Sequence, residues 1–93
     1  MKKLKFEWHD EKAMRNITKH GISFLEATSV FSDSLSLITH DKHHSYDEDR
    51  WTIIGTSNFN TLLVITFTDR QEKIRLISAR KATKSERKKY EKN

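Results

Sequence analysis

The chain has no cysteine, no proline and only two glycines in 93 residues. Without cysteine there is no disulfide framework, no thiolate nucleophile and no thiolate metal site, which excludes redox chemistry and zinc-finger readings. Any chemistry must use oxygen and nitrogen side chains. There is no internal repeat or low-complexity stretch, so neither a linker nor a domain boundary is visible. A chain this short builds one modest core, and residues 1–93 are read as a single domain. No apolar run approaches the roughly 20 residues needed to cross a bilayer. The opening MKKLKFEWHDEK meets charge before a signal peptide could form. The protein is expected to be cytoplasmic, with no membrane partner.

Hydrophobic residues make up 34% and charged residues 33%, but the apolar ones cluster in segments such as LLVITF that can be buried, which argues for a folded globule. Charge is unevenly distributed. Residues 1–69 carry eight Lys/Arg against ten Asp/Glu, a net −2, while residues 70–93 carry ten against three, a net +7. A single-sign cluster attracts polyanions, and nucleic-acid backbones are the commonest of these; a solvated basic helix is the alternative.

Leu4, Phe6 and Trp8 alternate with Lys5 and Glu7, which predicts a short strand with one buried face. Asp10 can cap a helix over about residues 11–20, where Ala13, Ile17 and His20 recur at helical spacing before Gly21. Ser23 and Glu26 predict a capping box opening a second short helix that ends near Phe31. The period then becomes extended. Segments 35–40, 50–57, 61–68 and 73–79 are rich in Ile, Leu, Val and Thr, and the short separators 58–60 and 69–72 predict an antiparallel meander of the last three. Thr83 and Glu86 form a second capping box before SERKKYEK. The fold class is α+β: an N-terminal strand and two helices, an antiparallel sheet of about four strands, and a C-terminal basic helix. Trp8, Phe24, Phe31, Trp51 and Phe67 fit core periodicity.

Three short signatures occur in order. The first is Asn16 with KHG at 19–21, then Ile22, Phe24, Ala27, Val30 and Phe31. The second is YDEDRW at 46–51 with Gly55, and the third is IRLISARKAT at 74–83 with Glu86 and Tyr90. Together they resemble the signatures of the BrnT toxin family, from about Phe6 to Tyr90. The resemblance implies a RelE-like fold, RNA cleavage with no metal or cofactor, and neutralisation by a ribbon-helix-helix antitoxin of the BrnA type. It also implies that operator DNA is bound only through that antitoxin. Two positions depart from the pattern: His9 stands where the family usually has Asp, and Asp47 where it often has Gly.

Metal-free RNA cleavage needs a proton acceptor for the ribose 2′-hydroxyl, cations for the charge gathering on phosphorus-bound oxygens, and a donor for the leaving oxygen. Arg80 is the first choice for phosphate, because a guanidinium binds phosphate oxygens with a two-point fork and stays charged. It lies at the predicted end of the last strand, where an exposed side chain with little part in stability is expected. Lys81 and Arg75 follow. In a regular strand Lys81 points to the other face, and Arg75 shares a face with Arg80 only if the strand bends or ends between them. Glu86 is either a base or the capping partner of Thr83. Tyr90, four residues on, either contacts RNA or docks the helix. His20 is either a general acid or base or a favourable charge at a helix C-terminus. Arg50 either meets RNA or pairs with the carboxylates at 47–49, and Lys88 and Lys89 offer exposed charge to the backbone. His40, Asp41, His43, His44 and Asp47 lie in or beside a loop with no fixed geometry, and no metal is expected there.

Three readings remain at this level: a metal-independent endoribonuclease toxin, a non-catalytic nucleic-acid-binding module using the same basic tail, and an interaction protein whose basic helix receives an acidic partner.

Overall fold

The structure, a computed structural model, describes residues 3–44 and 48–92. Tyr46 and Asp47 of the middle signature lie outside the described residues. β1 (Lys5–Glu7) leads into α1 (Asp10–His20) and α2 (Phe24–Thr28), which a 3-10 turn over Ser29–Ser32 extends. Then come β2 (Leu37–Asp41), β3 (Arg50–Thr56), β4 (Leu62–Arg70), β5 (Lys73–Lys81) and α3 (Lys84–Glu91).

The strands form one sheet in the order β1-β5-β4-β3-β2. β2 to β5 pair antiparallel, as the alternation and short separators require. The N-terminal strand joins them: β1 lies parallel to β5, so the sheet is five-stranded and mixed. A three-residue strand carries no periodic information about so distant a partner, and the chain between β1 and β5, through α1, α2 and β2 to β4, is far longer than the roughly dozen residues that parallel pairing needs.

Local chemistry sets the helix ends. The N-cap of α1 is His9, which makes no side-chain capping bond; Asp10 and Glu11 sit in the first turn, favoured by the positive end of the helix. Gly21 closes α1 in the left-handed conformation at φ 72°, its N–H donating to Ile17 O at 2.8 Å. Only half of the first predicted capping box forms. Ser23 accepts from the Glu26 N–H at 3.0 Å, but the Glu26 carboxylate turns away to accept from Ser57 Oγ at 2.7 Å. The second forms completely, with Thr83 and Glu86 each capping the other's backbone N–H.

The core lies between α1–α2 and one face of the sheet. Ala27, Val30, Leu63, Ile65 and Ala79 are wholly buried, and Phe24, Ile53 and Leu76 nearly so. Burying each of the larger aliphatic side chains stabilises the fold by about 1.5–3 kcal/mol. Phe6, Phe31 and Phe67 stack edge-to-face in series at 5.1 Å, and Trp8 meets Phe24 at 5.9 Å, so these aromatics pack as expected. Gly55 permits this closure: a Cβ there would lie 2.8 Å from Val30 Cγ1 and 3.2 Å from Asp33 Oδ2. Asn16 is a polar residue buried in this layer. Its amide donates to Ile22 O at 2.9 Å and Ala79 O at 2.8 Å and accepts from Ala79 N at 3.0 Å, so one side chain fastens α1 to β5.

Candidate active site

Register decides which charged side chains meet. Along β4, Val64 pairs with Arg80 and Thr68 with Arg75. Val64 and Thr68 are an even number of residues apart and so face the same side. On β5 the pairing steps from Ser78, opposite Thr66, to Leu76, opposite Phe67, leaving Ile77 as an extra residue. This bulge reverses the parity. Arg75 and Arg80 therefore share the face turned away from α1 and α2. Lys81, opposite Leu63, is turned to the helix side.

The same rule places Asp41 of β2, Arg50 and Thr52 of β3, and Val64 and Thr66 of β4 on the face with Arg80. Together with Ile77 and Ser78 they line a shallow depression of about 300 Å³. Arg50 and Arg80 thus come from strands separated in the sheet by β4 and converge on one hollow with a carboxylate and three hydroxyls. Of this group the sequence pattern singles out Arg50 and Arg80. Asp41, Thr52, Thr66 and Ser78 were missed as site residues; strand alternation would find them only once the register was known.

Arg80 is not a loose surface side chain. Its two terminal nitrogens donate to Glu86 Oε1 at 2.7 Å and Oε2 at 2.9 Å, and the pair is 40% and 23% exposed. The Arg80 hydrogen bonds, reinforced by those from Thr83, hold the Glu86 carboxyl down at about 2 against the cost of its burial. The Arg80 pKa moves up in turn, chiefly through Glu86. Glu86 is therefore an ionised, fully engaged carboxylate, a weak proton acceptor and a strong anchor.

Tyr90 docks α3 on the sheet. Its hydroxyl donates to Asp33 Oδ2 at 2.5 Å and meets Thr56 Oγ1 at 3.2 Å, and the Asp33 bond raises its pKa. Burial pushes the Asp33 carboxyl up, but hydrogen bonds from the Thr56 N–H, Tyr90 and the Leu35 N–H outweigh it, and the net shift is downward. Arg75 ties the two parallel strands together, donating to Glu7 Oε2 at 2.7 Å while His9 Nε2 lies 3.0 Å from its Nη1. The Glu7 carboxyl is lowered, first by that Arg75 hydrogen bond. His9, the departure from the family pattern, thus serves here as a neighbour of Arg75. Lys88 and Lys89 are exposed on α3. His20 lies outside the Arg80 depression and lines a second one with Lys12, Arg15, Asn16, Lys19, Ile77 and Ser78.

Among the described residues no group of three or more His, Asp or Glu side chains is placed to hold a metal ion. No helix among them is long and apolar enough to cross a membrane.

A five-stranded mixed sheet with α1 and α2 on one face, and Arg50, Arg75 and Arg80 on the face where Glu86 of α3 meets Arg80, places this chain among small basic α+β domains. Comparison with known proteins makes this specific. A model of the family described as the ribonuclease toxin, BrnT, of type II toxin–antitoxin systems matches residues 8–86, and this chain belongs to that family. Among solved structures it is similar to the Brucella abortus ribonuclease toxin, BrnT, determined at 1.1 Å, with a TM-score of 0.69 and 24% identity. That match covers 88% of this chain and 100% of the other. No curated protein matches.

Proposed function

We propose that this protein is a metal-independent endoribonuclease that arrests bacterial growth, with Arg50 and Arg80 holding the scissile phosphate. The observation that carries the reading is their convergence with Asp41 on one open hollow. Two guanidiniums supply, at fixed positions, the positive charge that a metal would otherwise bring to the phosphorane oxygens. The 2′-oxygen forms its bond to phosphorus as the bond to the 5′-oxygen breaks. The 2′-hydroxyl proton passes to the Asp41 carboxylate, and the 5′-oxygen takes a proton from water at the open mouth of the hollow. The product is a cyclic phosphate, which water opens to the 3′-phosphate. Thr52, Thr66 and Ser78 hydrogen-bond the ribose and phosphate oxygens. Glu86 is a positioning residue that holds the Arg80 fork until phosphate replaces it, while Lys88 and Lys89, exposed on α3, add charge beside the site and Lys81, turned to the helix side, adds only to the overall positive field.

Its partner is a ribbon-helix-helix antitoxin whose acidic segment covers the Arg50–Arg80 face and α3, and operator DNA is bound through that antitoxin. Burying the basic face would block RNA and provide the complementary charge that speeds association. The purified protein should cleave RNA in excess EDTA, and its expression alone should stop growth that the neighbouring antitoxin gene restores. Cleavage that disappears with chelator and returns with a divalent ion would overturn the metal-independent mechanism.

A further inference from the structure

α1 carries a basic stripe that the charge balance of residues 1–69 conceals. Lys12, Arg15, Asn16, Lys19 and His20 recur at three- and four-residue spacing, which places them on one side of the helix. Asn16, in the middle of that side, is bonded to the backbone of Ala79, so the stripe lies along β5. These five residues, with Ile77 and Ser78, line a groove of about 220 Å³. Ile77 and Ser78 also line the Arg50–Arg80 hollow. The two depressions therefore meet across β5 at its bulge.

We propose that the α1 groove is a second RNA-backbone subsite, which carries the strand on from the cleavage hollow over Ile77 and Ser78 and binds its neighbouring phosphates. The proposal rests on reading the Arg50–Arg80 hollow as the cleavage site. Lys12, Arg15 and Lys19 are exposed. The contact of Arg15 with Glu11, at 3.4 Å, has both side chains more than 70% exposed, so a phosphate displaces it readily. From Lys12 to Lys19 the helix rises about 10 Å. Successive phosphates of even a stacked strand are only about 3.4 Å apart along the axis, so the stripe spans more than one. The Asn16 amide is already committed to backbone partners, and the three cations read charge without reading bases. The subsite therefore holds single-stranded RNA irrespective of sequence and favours long substrates over short ones.

The test compares wild type with a Lys12→Gln/Arg15→Gln/Lys19→Gln variant on RNAs of increasing length, with affinity measured separately on non-cleavable 2′-O-methyl RNA. The variant should raise KM for long RNA by about ten-fold or more, with kcat within about two-fold. The salt slope of binding, log Kd against log salt concentration, should shrink by about 2, from three phosphates at about 0.7 each. An unchanged KM and an unchanged salt slope on long RNA would overturn the subsite, as would a loss of kcat equal on short and long substrates. Arg80→Ala, run in parallel, separates the two claims: if it cleaves normally the hollow is misassigned, whatever the α1 variant does.

Discussion

Arg80 and Glu86 form a two-point ion pair, at 2.7 and 2.9 Å, that joins the last strand to the first turn of α3. The same carboxylate caps α3 by accepting from the Thr83 N–H at 2.8 Å. One residue thus serves the helix and holds the guanidinium proposed to meet phosphate. The sequence alone predicts an exposed Arg80 side chain with little part in stability; the two-point pair with Glu86 ties it to α3, so its removal should cost more than an ordinary surface change.

A pH prediction follows from the Glu86 carboxyl. Its pKa is lowered from 4.5 to about 2 in the folded chain. A lowered pKa means stability that is present above about 4.5 and is lost as pH falls toward about 2. With Arg80 partly open to solvent, this amounts to on the order of 2 kcal/mol. Thermal melting of Glu86→Gln should therefore fall less steeply than that of wild type across this window. Parallel melting curves for the two proteins would mean that the ion pair does not hold in solution.

Asn16 should be far less tolerant of change than a polar helix residue normally is. Truncation to Ala leaves the buried N–H and C=O of Ala79 and the carbonyl of Ile22 without their partner. Each stranded group costs about 1–3 kcal/mol. Asn16→Ala should lower the melting temperature by about 10 °C or more. A drop of only a few degrees would mean that water replaces the amide.

Thr68 points the other way. It is 1% exposed, and its hydroxyl finds no partner among the described residues. Valine keeps the shape and removes the unsatisfied group, so Thr68→Val should be neutral or raise stability by up to about 1 kcal/mol. Chemical denaturation measures this directly, and a clear loss of stability would reveal a polar partner for the hydroxyl.

Much of the architecture is legible in local pattern, because strand alternation, short separators and the Thr83–Glu86 spacing each act over a few residues. What is not legible depends on distant partners. Nothing around Lys5–Glu7 signals that β1 pairs with Lys73–Arg75. Simple alternation sets Arg75 and Arg80 on opposite faces, and the Ile77 bulge reverses this only because of how β4 pairs. Asn16 stands out as part of a signature, yet its buried bond to Ala79 is visible only in three dimensions. The convergence of Arg50 with Arg80 depends on the register of three strands, which residue composition does not contain.

The central claim is that Arg80, through its two-point fork, stabilises the phosphate during RNA cleavage. The most direct test measures initial cleavage rates on one RNA, in EDTA, for wild type, Arg80→Ala and Arg80→Lys, with a melting curve for each. Loss of the Glu86 pair should cost Arg80→Ala on the order of 2 kcal/mol, a fall of roughly 8–16 °C, so rates are compared at a temperature where its melting curve shows it folded. Its rate should fall by about a hundred-fold or more, as on removing one preorganised donor. Arg80→Lys keeps the charge but not the fork, and should resemble Arg80→Ala more than wild type. Folded Arg80→Ala protein that cleaves within about three-fold of the wild-type rate would contradict the account.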